Sequence, residues 1–167
     1  MVILFWDASA LAKRYAPEIG SDAASALFKA VPATQNVSAA ISYAETYSIL
    51  LRKLNRREIA RSTFDKAWSS LRADLIYDPD FVLLPVTDTA IYSGIALMQA
   101  YNINSTDATL LTMFLRYKQS FPLEGDTIFV LVASDNRLLR AAEAEGLIAV
   151  DPETLAEADI PAFLASL

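Results

Sequence analysis

Four acids in this chain are candidates for chemistry: Asp7, Glu45, Asp107 and Asp135. Asp7 follows the apolar run V-I-L-F-W and Asp135 follows T-I-F-V-L-V-A-S, so both fall where a buried strand would end. Glu45 stands within A-A-I-S-Y-A-E-T-Y-S-I-L-L, with Ile41 and Ile49 one helical turn away on either side. Asp107, in I-N-S-T-D-A-T-L-L-T-M-F, shares its side of a helix with Leu110, Leu111 and Phe114. Each acid also has a structural explanation. Asp7 and Asp135 can cap the helices that follow them. Glu45 can reach water beside Ser42 and Ser48, and Asp107 can complement the dipole of a helix that starts behind Ser105. Gathered at one end of a sheet, however, the four carboxylates would repel one another and would need divalent cations to coexist. A cation held there by few protein ligands keeps several waters and open positions for phosphate oxygens. A water acidified by such a metal can attack phosphorus, which makes phosphodiester hydrolysis the chemistry to expect.

What the chain lacks narrows the choice further. Its 167 residues contain no Cys and no His. That removes thiol nucleophiles, disulfides, imidazole bases, Ser-His-Asp triads and zinc sites built on Cys or His. The four Gly are spread too thinly for a phosphate-binding loop or a dinucleotide fingerprint. A metal here would have oxygen ligands only, which points to Mg2+ or Mn2+. Apolar residues make up 54% of the chain and charged residues 20%, as in a folded globular protein. The net charge of −6 argues against gripping nucleic acid by bulk electrostatics, but not against neutralising phosphates locally with metal ions. Val2–Trp6 lacks a basic leader and does not read as a signal peptide. The uncharged stretch from Thr89 to Thr106 carries Ser, Gly, Gln and Asn and makes a poor membrane span. A cytoplasmic protein with no membrane association is expected.

The elements that would position the acids alternate between short apolar runs and helical segments. This pattern predicts an α/β layered domain with a mostly parallel sheet of four to five strands. Strands are expected at Val2–Trp6, Asn36–Ser38, Phe81–Val86, Thr127–Ala133 and Ile148–Val150. Helices are expected over Ala8–Tyr15, from Gly20-Ser21-Asp22 to Ala30 with Ser21 as N-cap, Ala39–Leu54, Glu58–Tyr77, Thr89–Tyr101, Ser105–Tyr117 and Asn136–Glu145. The third and fourth of these form a helical hairpin. The aromatic residues along it (Tyr43, Tyr47, Phe64, Trp68, Tyr77) recur at helical spacing and read as packing rather than base stacking. A small outer helix is expected in the acidic tail after Pro152. No repeat or linker divides the chain.

W-D-A-S-A-L-A-K-R-Y, the A-E of the first hairpin helix, S-T-D-A-T-L-L and A-S-D-N-R-L-L-R-A-A-E-A-E-G-L together resemble the PIN-domain family, and within it the VapC-type toxins of toxin–antitoxin pairs. The likeness spans roughly residues 2 to 151. It implies a three-layer α/β/α sandwich, with residues 1–151 as the PIN-like domain and 152–167 as an acidic tail packed on it. It implies a magnesium-dependent endonuclease of single-stranded RNA, with Asp7, Glu45, Asp107 and Asp135 on the family's acidic quartet as catalytic and metal-binding residues. Ser9 falls on the family's small hydroxyl position beside the first acid. Two positions depart from the pattern. The frequent T-x-D reads Ala133-Ser134-Asp135, placing the hydroxyl of Ser134 one residue away, and the frequent D-A-I-H reads Asp107-Ala108-Thr109-Leu110. Beside these, Asn104 is placed to orient a metal-bound water. Lys13, Arg14, Arg137 and Arg140 follow strand-end acids and are placed to reach a bound RNA backbone. Seven of the 14 Lys and Arg lie between Arg52 and Arg72, either as a solvated face of the hairpin or as a surface for phosphate or a partner.

The expected function is therefore that of a type II toxin ribonuclease, with RNA as substrate, a cognate antitoxin docking near the hairpin, and a homodimer as assembly. The alternatives are a housekeeping PIN ribonuclease of RNA maturation and a non-catalytic PIN-like module that binds RNA or protein. A receiver domain also carries a strand-end Asp. It would want an acidic pair after its first strand and a Lys after its last, and neither is present.

Overall fold

The structure is a computed structural model, and it describes residues 1–122 and 127–167. Its strands are β1 (Val2–Trp6), β2 (Asn36–Ala39), β3 (Val82–Leu84), β4 (Ile128–Val132) and β5 (Ile148–Val150). They form one sheet in the order β3-β2-β1-β4-β5, and every pairing is parallel. The two central strands, V-I-L-F-W and I-F-V-L-V, are apolar throughout because both of their faces are covered. Alternation along the strand assigns each side chain to a layer.

On one face, Leu4, Trp6, Val130 and Val132 meet Leu11 of α1 (Ala8–Tyr15), Leu27 of α2 (Ser21–Ala30), Leu50 of α3 (Ala40–Asn55) and Leu71 of α4 (Arg61–Arg72). On the other, Ile3, Phe5, Phe129 and Leu131 meet Ala90 of α5 (Asp88–Tyr101), Leu110 and Phe114 of α6 (Ser105–Gln119) and Leu138 of α7 (Asn136–Ala144). Phe5 stacks on Phe114 with ring centroids 4.4 Å apart. The result is the three-layer α/β/α sandwich. α5 and α6 approach closely at Gly94, where a Cβ would lie 3.1 Å from the backbone of Ala108, the residue after Asp107.

The chain order explains where a site must lie. From β1 the chain steps outward to β2 and β3, then returns to the far side of β1 to add β4 and β5. The crossovers change face when the direction reverses, so the helices on either side of the β1/β4 boundary diverge. A crevice opens there at the carboxyl ends of the strands.

Most element boundaries match expectation within a few residues, and three differ for identifiable reasons. The second hairpin helix starts at Arg61 rather than Glu58, because Arg57 turns the chain at φ 61 and Ala60 is extended. Its α-helical part ends at Arg72 and passes into a π turn over Ala73–Tyr77, closed by the bond from the Asp78 N–H to the Ala73 carbonyl. Ser21 is not the N-cap of α2. Gly20 holds that place at φ 85, and Ser21 Oγ instead accepts from the Glu18 N–H and donates to the Ala16 carbonyl. A side chain at Gly20 would meet the backbone of Pro152 and Glu153 at 2.9 Å.

Along the hairpin, Tyr47 packs on Trp68 at 4.5 Å and on Phe64 at 5.8 Å, and Tyr43 packs on Trp68 at 5.5 Å. These rings pack, as the spacing predicts, whereas Tyr77 is exposed and lies under Arg72. After β5 the tail forms α8 (Ile160–Ser166), whose Ile160 is buried in the same core layer as α2. No described helix is long and apolar enough to cross a membrane.

Candidate active site

Two of the four acids follow strands and two lie on helices, and the fold brings all four to one cleft. Asp7 follows β1 and Asp135 lies beyond β4, on either side of the boundary where the strand order reverses. Glu45 comes from the second turn of α3 on one face of the sheet, and Asp107 from the first turn of α6 on the other. Together with Ala8, Ser9, Ser48, Ile49 and Arg52 they line a cavity of about 370 Å³.

Capping and cleft-lining coexist in the strand-end acids. Asp7 is buried and caps α1, with its Oδ2 accepting the Ser9 N–H at 2.9 Å and the Ser9 hydroxyl as well. The Asp7 N–H donates to the Val132 carbonyl at 3.0 Å, which ties the acid to the neighbouring strand. Asp135 caps α7 through Oδ1, which accepts from the N–H groups of Arg137 and Leu138. The bland explanation of each is therefore correct without excluding the other, since a carboxylate has two oxygens.

Asp107 is held by a reciprocal cap. Its N–H donates to Asn104 Oδ1 at 2.9 Å, and Asn104 Nδ2 donates to its Oδ2 at 2.8 Å. Asn104 thus caps α6, and its amide orients the carboxylate of Asp107. Ser134 also has a defined role: its N–H donates to Ser9 Oγ at 2.9 Å and its hydroxyl donates to Asp151 at 2.7 Å. Leu110, which stands where the family often has a histidine, is fully buried in the core.

Crowding of like charge is visible in the protonation equilibria. Asp107 is pushed up to about 7, first by burial and then by the charges of Asp7, Asp135 and Glu45, with Arg137 opposing. Burial and the charge of Asp7 raise Glu45, against the pull of Arg52. Burial also raises Asp7, against its hydrogen bonds to Ser9. Such a site favours a cation. The donors are hard oxygens, and among the described residues no three acids close onto a single point as a ready-made cage.

The basic residues divide sharply. Arg137 is exposed in the first turn of α7, after the cap Asp135, and Arg140 is exposed one turn further on. Lys13 and Arg14, expected to reach a bound RNA backbone, are instead engaged in ion pairs away from the cleft. Lys13 is 5% exposed and pairs with Glu153 at 2.5 Å and Glu18 at 3.8 Å. Arg14 pairs with Asp74 at 2.8 Å and lies over the Phe28 ring at 4.0 Å. The cause is helical geometry: these residues sit at the far end of α1 from Asp7 and face α2, the π turn after α4 and the C-terminal segment. In exchange the fold supplies Arg52, a cation on the cleft wall. In sequence Arg52 looks like one more member of the basic hairpin. The signal was its position two turns after Glu45, on the same face of α3.

The family model for the PIN domain matches residues 4–144. The chain belongs to the PIN-domain family. Members of that family are generally nucleases. Comparison with curated protein sequences finds no match. Among solved structures, this PIN domain is similar to PAE2754 from Pyrobaculum aerophilum (16% identity, TM-score 0.62, covering 97% of this chain and 99% of that one). It is also similar to FitAcB from Neisseria gonorrhoeae (13% identity, TM-score 0.61, 92% and 100%). A third neighbour is a toxin–antitoxin complex from Klebsiella pneumoniae (15% identity, TM-score 0.56, 90% and 97%). At such identities the likeness concerns the fold.

Proposed function

We propose that this PIN domain is a Mg2+- or Mn2+-dependent endoribonuclease and the toxin of a type II toxin–antitoxin pair, acting in the cytoplasm. The observation that carries the nuclease reading is the convergence of Asp7, Glu45, Asp107 and Asp135 on one cleft, with three of the four pushed toward protonation in the absence of a cation. A divalent ion bound there would acidify a water and stabilise charge at phosphorus. The chain's own groups do the rest. Ser9 and Asn104 hold the carboxylates of Asp7 and Asp107 in place. Arg52 on the cleft wall, Arg137, close enough to act on the charge of Asp107, and the exposed Arg140 on the same helix would offer cations to a phosphate backbone at the cleft. The likeness to a toxin–antitoxin complex supports the toxin assignment.

We place antitoxin docking near the hairpin, where a cleft of about 600 Å³ between α1, α2 and α4 carries both bases and acids, Lys29 and Lys66 with Asp22 and Asp74. A homodimer completes the assembly we propose.

The test uses purified protein freed of any partner. It should cleave single-stranded RNA only with Mg2+ or Mn2+, leaving a 5′-phosphate and a 3′-hydroxyl, and Asp7→Asn should abolish cleavage while leaving the fold intact. RNA cleavage that persists in EDTA, or in Asp7→Asn, would sink the nuclease reading. An adjacent reading frame for a small DNA-binding protein that silences the activity is expected for the toxin role, and failure to silence would refute that role alone.

A further inference from the structure

We propose that Asp151 is a positioning residue for the acidic cleft, acting on Asp7 through Ser134 and Ser9; the inference rests on the metal-dependent reading above. It starts from the sheet. β4 and β5 run parallel with Val132 opposite Val150, and the Ala133 N–H donates to the Val150 carbonyl at 3.2 Å. The residues that follow the two strands therefore leave the sheet side by side. There Ser134 Oγ donates to Asp151 Oδ1 at 2.7 Å. The Ser134 N–H donates to Ser9 Oγ at 2.9 Å, and Ser9 Oγ donates its own proton to Asp7 Oδ2.

Each link leaves the next group one orientation. A serine hydroxyl has a single proton. With the Ser9 proton on Asp7, the Ser9 lone pairs must face a donor, and the Ser134 N–H is that donor. With the Ser134 proton on Asp151, the turn that presents this N–H is pinned to the end of β5. The same turn carries Asp135, so the anchor acts on both strand-end acids. Asp151 is itself held. Its Oδ1 accepts the Glu153 N–H at 2.9 Å, and its carbonyl accepts from the N–H of Thr154 at 3.0 Å and from the Thr154 hydroxyl at 2.9 Å. Asp151 does not line the cleft and lies beyond the residues matched by the family model. Groups that orient a metal's ligands commonly change its affinity by about ten- to a hundredfold when removed. Asp151 stands further out, and we expect the lower end of that range.

The experiment measures Mn2+ binding to the whole chain by calorimetry, with RNA cleavage and thermal melting alongside. Asp151→Ala and Ser134→Ala should each raise the Mn2+ Kd about tenfold. The double variant should be no worse than either single one, because both break the same chain of bonds. Asp151→Asn, whose Oδ1 still accepts from Ser134, should stay within about twofold of the parent. Loss of melting temperature in Asp151→Ala with unchanged Mn2+ affinity would show only a cap of the C-terminal turn and would overturn the proposal. So would a Ser134→Ala loss that Asp151→Ala does not share, or losses that add. If Asp151→Ala does not fold, Ser134→Ala against Asp151→Asn decides, since neither removes the cap. If the parent chain binds no Mn2+, or binds it as well after Asp7→Asn, the metal reading itself fails and the relay falls with it.

Discussion

Replacing Asp107 by Asn should stabilise the metal-free protein at pH 8, although Asp107 is a site residue. The argument is electrostatic. In the folded chain Asp107 is pushed from 3.8 up to about 7 by burial and by three neighbouring acids. Protonated Asp107 is thus favoured by the fold. Its contribution is complete below its unfolded value, is lost as pH rises through the interval up to about 7, and stays lost above it. At about 1.36 kcal/mol for each pH unit, the interval from 3.8 to about 7 corresponds to about 4 kcal/mol as an upper bound. Asp107 is only partly buried, and solvent screening reduces this to about 1–2 kcal/mol. In a domain of this size that is roughly 2–8 °C of melting temperature. Asn keeps an acceptor for Asn104 Nδ2, so the cap survives the change. Melting curves in EDTA between pH 4 and 8 should show the parent losing stability as pH rises, and Asp107→Asn losing less. The gap should narrow as pH falls and close only near the unfolded value of Asp107, about pH 4. With Mg2+ present the parent should recover at pH 8 and the variant should gain less. A melting temperature at pH 8 in EDTA that is equal or lower in Asp107→Asn would refute the account of charge crowding.

Two further predictions concern the cations. Arg52→Ala and Arg137→Ala should each weaken RNA binding, and each should flatten the salt dependence of log K by about 0.7, the increment for one phosphate contact on a single strand. Equal slopes in parent and variant, measured by fluorescence anisotropy over a salt series, would remove that residue from the RNA path. Lys13→Ala should do the opposite. RNA affinity and its salt slope should stay unchanged, while urea denaturation should show a loss of about 1–3 kcal/mol from unpairing Glu153 and Glu18 around a buried position.

Much of the architecture was legible because it rests on near-neighbour pattern. V-I-L-F-W and I-F-V-L-V are continuous apolar runs that only a strand covered on both faces explains, and β5 and α1 lie where their sequence places them. The turns were less legible. The end of α4 depends on a left-handed Arg57 and on a π turn, neither of which leaves a periodic signal. Among site residues, Asp7 and Asp135 announce themselves by ending strands, whereas the partners of Lys13 and Arg14 do not. Lys13 looks like a cation one to two turns from an acid until Glu153, at the far end of the chain, is seen to hold it.

By itself the sequence determined the kind of chemistry available and the local elements that could carry it. Residue types alone exclude thiol and imidazole, and periodicity of side chains along a strand or helix is a short-range property. The tertiary structure decided which groups meet. The strand order reverses between β1 and β4, and that reversal opens the crevice, draws Glu45 and Asp107 into it from opposite faces, and sets Arg52 on its wall. It also turned Lys13 and Arg14 away and laid Asp151 beside Ser134. Those meetings join residues far apart in the chain. They follow from how the layers pack and from the order of the strands, which no single segment encodes.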